Sequence, residues 1–411
     1  MKQKIKDNIL LSFIILNIIF VFVFSIIDTY LIFNMNTISL CYIIAFIINI
    51  IVLTILFIYK KFIKKDYRFE LVDLWLLLLV VFGLISTIYS IHPTYSLYGN
   101  PIRKEGLYTL LYYYSLFSIT RFIKQDKKKY IIAFILAIGL FEVMYGYLQK
   151  MNSGFVDTAL NKGRPVVYGT FLNSNFYSTF MLLCLCFSIG ICNYTKNNYY
   201  KVLFGVITLF FAFGLILSNT LSGIVGLAVV CIYLIGYSIK NKNIIRNIVL
   251  IVLISIMCLV LSHFNFTTIT KDIGIFNNQV VEISKGNISD NFGTNRIGIW
   301  KRTMEVVPKY IIHGGGIDNF AFVFGNRPLV VNNKVIDKAH NEYLQILVTE
   351  GIFALICYLL FYITVLIKGR KNKVYYKLPV IGYLVQAFFN ISVIAVAPFF
   401  FISIGMLYDN D

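Results

Sequence analysis

Long apolar runs decide what this chain can fold into. They fall at 8–28, 38–59, 70–90, 106–123, 130–150, 169–193, 201–217, 220–239, 244–262, 341–367, 376–391 and 394–408. A helix needs about 20 apolar residues to cross the roughly 30 Å of bilayer hydrocarbon, so most of these runs have spanning length. No water reaches a backbone there, so each run has to satisfy its own N–H and C=O groups as a helix. Charged residues make up 14% of the chain, against roughly a quarter in soluble domains, which leaves too little polar surface for a water-soluble fold. The expected fold is an all-α polytopic membrane protein of about twelve transmembrane helices with one large extracytoplasmic loop of short helices. The last two runs are separated by Asn390, Ser392 and Pro398, which fit a tight turn better than one continuous helix.

A formal charge of +18 raises the question of nucleic acid, and the distribution of the charge answers it. Most of the 37 basic residues collect in alternate short connections: Lys2, Lys4 and Lys6; Lys60, Lys61, Lys64, Lys65 and Arg68; Arg121, Lys124, Lys127, Lys128 and Lys129; Lys196 and Lys201; Lys240, Lys242 and Arg246; Lys368, Arg370, Lys371, Lys373 and Lys377. That is the positive-inside pattern of a multi-pass protein, with both termini expected in the cytoplasm. No basic stripe interleaved with aromatics reads as a nucleic-acid groove. All seven cysteines sit in apolar runs without metal-ligand spacing, which reads as small hydrophobes. The apolar stretch 9–27 is too long for a cleaved signal and lacks a small-residue cleavage site, so it reads as a retained anchor.

This orientation divides the chain into helices 1–9 over residues 1–262, an extracytoplasmic catalytic loop over 263–340, and helices 10–12 over 341–411. The loop is polar, aromatic and Gly-rich, and a long ordered loop of this kind is usually functional. Within it, 294–309 is expected to form an amphipathic helix ending near Pro308, and Asp318 to cap a second short helix.

Four outward segments carry polar residues beyond what solvation requires. In the first, Arg103-Lys104-Glu105-Gly106, Arg103 reads either as a local ion pair with Glu105 or as a ligand contact. The second runs from Gly163-Arg164-Pro165 to Asn173-Ser174-Asn175. The third is Asn295-Arg296 with Trp300, followed by the triple glycine 314–316. The fourth is His340-Asn341-Glu342-Tyr343-Leu344-Gln345, at the start of a returning helix. An imidazole there suits general-base chemistry near neutral pH, with Glu342 and Gln345 close by at i,i+3 spacing; a cap at the membrane boundary is the plainer reading. Arg296 and Arg164 read either as guanidinium forks for a diphosphate or as interfacial arginines reaching lipid headgroups. Glu142, inside a span, is a functional candidate on cost alone, or a hydrogen-bonded structural acid. The sequons at Asn265 and Asn287 are weak signals, and Asp409-Asn410-Asp411 reads as a solvated tail.

At these segments the chain resembles the O-antigen ligase and polymerase superfamily, most clearly at Ala339-His340-Asn341-Glu342-Tyr343-Leu344-Gln345 followed by Glu350-Gly351. Gly163-Arg164 through Asn175, Arg103-Lys104-Glu105-Gly106, and Tyr383-Leu384-Val385-Gln386 through Pro398 also look like family blocks. The resemblance implies a metal-independent glycosyltransferase without cofactors, in the bacterial cytoplasmic membrane with its active site outside. It would move a polyprenyl-diphosphate-linked saccharide to a hydroxyl acceptor. His340 would then be the base and Arg296 a diphosphate contact, with Arg103, Arg164, Asn175, Asn341, Glu342 and Gln345 as substrate-binding candidates. One departure stands out: the family often carries an Arg in a Ser-Arg-Gly-like motif, whereas Ser218-Asn219-Thr220-Leu221-Ser222-Gly223 has none. A flippase for lipid-linked saccharide is the rival class, disfavoured because Glu142 is nearly alone at mid-depth; a non-catalytic assembly scaffold is another. Within the family reading, the Ile-, Asn- and Lys-rich style leans towards a polymerase over a ligase.

Overall fold

The computed structural model describes residues 2–30, 35–65, 68–101, 103–151, 167–171, 173–241, 244–264, 267–331, 333–369 and 374–408. The described residues form α1 (Lys2–Tyr30), α2 (Met35–Ile58), α3 (Leu71–Ile88), α4 (Pro93–Tyr98), α5 (Leu107–Arg121), α6 (Gln125–Lys150), α7 (Ser174–Tyr194), α8 (Asn198–Leu217), α9 (Leu221–Asn241), α10 (Ile244–His263), α11 (Ile269–Ser284), α12 (Arg296–Tyr310), β1 (Val330–Val331), β2 (Lys334–Val335), α13 (Glu342–Thr349), α14 (Ile352–Lys368), α15 (Val374–Ala387) and α16 (Ala397–Leu407). Eight of these helices are long and apolar enough to cross a membrane, and α14 and α16 are shorter apolar helices. Every expected run is met by a helix, so the chain is an all-α polytopic membrane protein; its only described strands are a two-residue hairpin.

Helix α7 is the hub. It is 89% buried along its span, against 17% for α2 and α10, whose exposed Ile and Leu side chains face where lipid would lie. Apolar burial gives no net drive between helices in hydrocarbon, so association rests on close packing and interhelical hydrogen bonds. Both are present. A side chain at Gly139 would collide with Cys184 Sγ at 2.7 Å, and one at Gly226 with Leu182 at 2.6 Å. Asn49 donates to Ser115 at 2.8 Å, Trp75 to Thr364 at 3.1 Å, and Gln386 to Ser178 at 2.9 Å.

The two ends of the bundle differ in chemistry. Ion pairs Arg121–Asp73 and Lys124–Asp7, together with Arg246 donating to Asn193 Oδ1, tie the end where the basic connections gather. The opposite end carries α4, α11, α12, the hairpin and α13. There Asn173 caps α7 and Asn341 caps α13, each accepting a backbone N–H of its helix.

Several local expectations need correction. The run 341–367 is two helices, because Glu350-Gly351 breaks it with Gly351 at φ +93°. The amphipathic helix expected over 294–309 is present as α12, with Pro308 in its last turn. Asp318 caps no helix: only a 3₁₀ turn follows at Phe320–Phe322, and the Asp318 carboxylate instead accepts the backbone N–H groups of Asn100 (2.6 Å) and Glu105 (3.2 Å). Helix α11 falls in a segment expected to be polar loop. The turn 388–396 between α15 and α16 matches expectation. Asn265 and 409–411 lie outside the described residues, and Asn287 lies in an exposed connection after α11.

Candidate active site

Arg296 opens α12 after two residues, Thr294 and Asn295, held at φ +59° and +68°. This left-handed entry aims the guanidinium back across the helix start. Its Nε donates to the Phe389 carbonyl at 3.2 Å, and one Nη donates to Gly293 O at 3.0 Å and to the Thr294 hydroxyl. The side chain borders a cavity of about 200 Å³ whose walls include Ser222, Phe276, Ile283, Trp300 and Phe389. Apart from Arg296, the wall is mostly apolar. Ser222, in the stretch that lacks an arginine, therefore shares a cavity with one supplied by α12. Burial lowers the Arg296 pKa from its ordinary value, an effect that an anionic ligand would offset.

Residues 337–340 are joined to the cavity wall through Trp300, which donates to the Ala339 carbonyl, and are fixed one after another. Asp337 makes a two-pronged pair with Arg103, Nε to Oδ2 at 2.7 Å and Nη2 to Oδ1 at 3.0 Å. Burial opposes the Asp337 charge, but the Arg103 guanidinium outweighs it and holds the carboxyl below its usual range. Lys338 is buried between Asp318 (2.9 Å) and Glu105 (3.2 Å). Burial works against its ammonium, yet the two carboxylates raise its pKa above the ordinary lysine value. Ala339 donates its N–H to Gln345 Oε1 at 2.8 Å and accepts at its carbonyl from Trp300 Nε1 at 3.1 Å. His340 then turns left-handed at φ +50°, a conformation uncommon outside glycine that persists only where surroundings enforce it.

The imidazole of His340 is half-buried, and its pKa is lowered to about 4. Burial is the largest cause, and the charges of Arg296 and Arg103 add to it, partly opposed by Asp337. His340 is thus neutral at physiological pH and lies within electrostatic reach of both guanidinium groups.

The other candidates divide. Asn341 caps α13, accepting the Leu344 N–H at 3.0 Å. Glu342 is buried and accepts hydrogen bonds from Tyr358 (2.5 Å) and Tyr383 (3.3 Å), so it ties α13 to α14 and α15. Asn175 accepts from the Ser222 hydroxyl at 3.1 Å, which links α7 to the cavity wall. Arg103 and Glu105 do not pair locally; each takes a partner from the run before His340. Arg164 lies outside the described residues. Glu142 is a hydrogen-bonded acid, accepting the N–H (3.0 Å) and hydroxyl (2.7 Å) of Thr170. Among the described residues no three His, Cys, Asp or Glu side chains are grouped to hold a metal. Asp337 and Lys338 are absent from the residues expected on sequence grounds; a lysine immediately before a span at the less basic end was the available signal.

The O-antigen ligase family model matches residues 206–359. Over that stretch the chain is similar to the O-antigen ligase family. The matched region runs from α8 into α14, so Ser222, Arg296 and His340 all lie within it, whereas Arg103, Arg164 and Asn175 lie outside. No curated protein matches the chain. The long apolar helices make this a multi-pass membrane protein, and the match supports a role of the O-antigen ligase type in surface-glycan assembly.

Proposed function

We propose that the protein is a glycosyltransferase moving a saccharide from a polyprenyl-diphosphate lipid to an acceptor hydroxyl at the outer membrane face, extending a surface polysaccharide as a polymerase rather than as a ligase. The observation that carries this reading is a neutral His340 within the field of Arg296, whose side chain borders a mostly apolar cavity. The acceptor oxygen attacks the anomeric carbon and its proton passes to His340. The bond from that carbon to the diphosphate breaks, and the polyprenyl diphosphate leaves with the electron pair. Arg296 stabilises the charge gathering on the leaving group, and the cavity wall takes the first part of the lipid. The gathering of basic connections at the far end of the bundle supports an outward-facing site in a bacterial cytoplasmic membrane.

Purified protein incubated with a defined polyprenyl-diphosphate oligosaccharide should give a ladder of repeat-unit masses. A single mass shift on an added acceptor would make it a ligase, and translocation without transfer would overturn the enzymatic reading. His340→Ala should lower transfer by about 10²–10⁴-fold, the usual contribution of a general base, with insertion intact; undiminished transfer would remove His340 from the mechanism.

A further inference from the structure

We infer that Trp300 and Gln345 are positioning residues for His340, and that Trp300 ties the placement of the imidazole to occupancy of the cavity beside Arg296. The inference rests on the reading above, with His340 as base and the cavity as the donor's seat.

Trp300 follows Arg296 by four residues on α12, so the two side chains share a helix face, and both border the cavity. The indole is packed edge-on against Phe388, ring centroids 5.4 Å apart. Its N–H donates to the Ala339 carbonyl. Gln345, one turn into α13, takes the N–H of the same residue. Ala339 is fully buried, and its amide and carbonyl are held by two different helices. Immediately after it comes the left-handed turn of His340. A non-glycine residue pays a steric cost in that conformation, so the segment would rotate out of it if its preceding peptide were released. The same indole that would touch a seated donor therefore holds the backbone that aims the base.

Trp300→Phe keeps the ring and deletes the N–H, and Gln345→Met keeps the volume and deletes the acceptor. Each should lower kcat by about 10²-fold, the scale set by small misplacements of a reacting group, while KM for the lipid-linked donor stays within about twofold. Because a loosened imidazole regains water, the acid limb of the pH profile should also move up towards about 6.5, which loss of overall stability would not produce. The double variant should lose little more than the worse single one, since both release one peptide. Wild-type kcat and pH profile in Trp300→Phe would overturn the inference, and so would a raised donor KM with unchanged kcat, which would make the indole only a wall of the cavity. If Gln345→Met fails to fold, Trp300→Phe decides alone. His340→Ala run alongside separates the two claims: activity there sinks the parent reading, whereas inactivity there with wild-type behaviour in both positioning variants sinks this inference only.

Discussion

At the scale of the residue, the proposed chemistry turns on a histidine kept neutral. An ordinary imidazole titrates near 6.5, but His340 is depressed to about 4 by burial and by Arg296 and Arg103. Two consequences have definite signs. Between pH 6.5 and 4 the unfolded chain binds a proton at this position that the folded chain does not, so the contribution of His340 to stability is complete above about 6.5 and is lost as pH falls towards 4. For catalysis, the acid limb of kcat/KM, which reports the free enzyme, should fall near pH 4. The limb of kcat should lie higher, because a bound diphosphate offsets the two guanidinium charges. The check is a pH–rate series at limiting and saturating donor. An inflection near 6.5 in both would mean that the imidazole feels neither arginine.

At the scale of the element, the decisive feature is the strap 337–340, pinned by groups far away in sequence. Arg103 and Glu105 precede α5, Asp318 follows the triple glycine, and Trp300 and Gln345 come from α12 and α13. The glycines let two backbones meet closely. Gly315 and Gly316 donate to the Val348 and Thr349 carbonyls, and a side chain at Gly314 would meet Thr349 O at 2.1 Å. Removing the charge of Lys338 leaves Glu105 and Asp318 buried without a counter-ion, a change that costs about 3–5 kcal/mol for a buried pair. Lys338→Met should therefore lower the melting temperature markedly, read in detergent by a thermal-shift or light-scattering ramp; an unchanged melting point would show that water reaches the cluster. The strap also marks where local sequence patterns stop being informative. His340, Asn341 and the helix after them are legible because cap, apolar periodicity and motif coincide. The pairing Arg103–Asp337 joins residues 234 apart, which no local pattern encodes, and the adjacent Glu105 offered a nearer but wrong partner. Helix α11 is hard to see because its apolar face, Phe276, Val280 and Ile283, is diluted by Asn and Lys to the composition of a loop.

At the scale of the whole molecule, the bundle is legible because bilayer thickness imposes a length on every crossing element, and each long apolar run meets a helix, one of them broken at Gly351. What run length leaves open is which helix lies centrally. Helix α7 is no more apolar than its neighbours, yet it is the most enclosed of the long helices; its small and polar side chains, Ser178, Thr179, Cys184 and Ser188, admit other helices closely. The same geometry makes the proposed orientation testable without substrate. Lys196, in the α7–α8 connection, and Asn287, after α11, are both exposed and lie at opposite ends of the bundle. The native cysteines lie within helices, four of them buried, which keeps background labelling low. In intact cells a membrane-impermeant maleimide should modify Asn287→Cys and spare Lys196→Cys, with Lys196→Cys reacting only after permeabilisation. The reverse pattern would put His340, Arg296 and the cavity that Arg296 borders on the cytoplasmic side. A lipid-linked glycan presented outside could not reach the base there, so the proposed transfer would fail with the orientation.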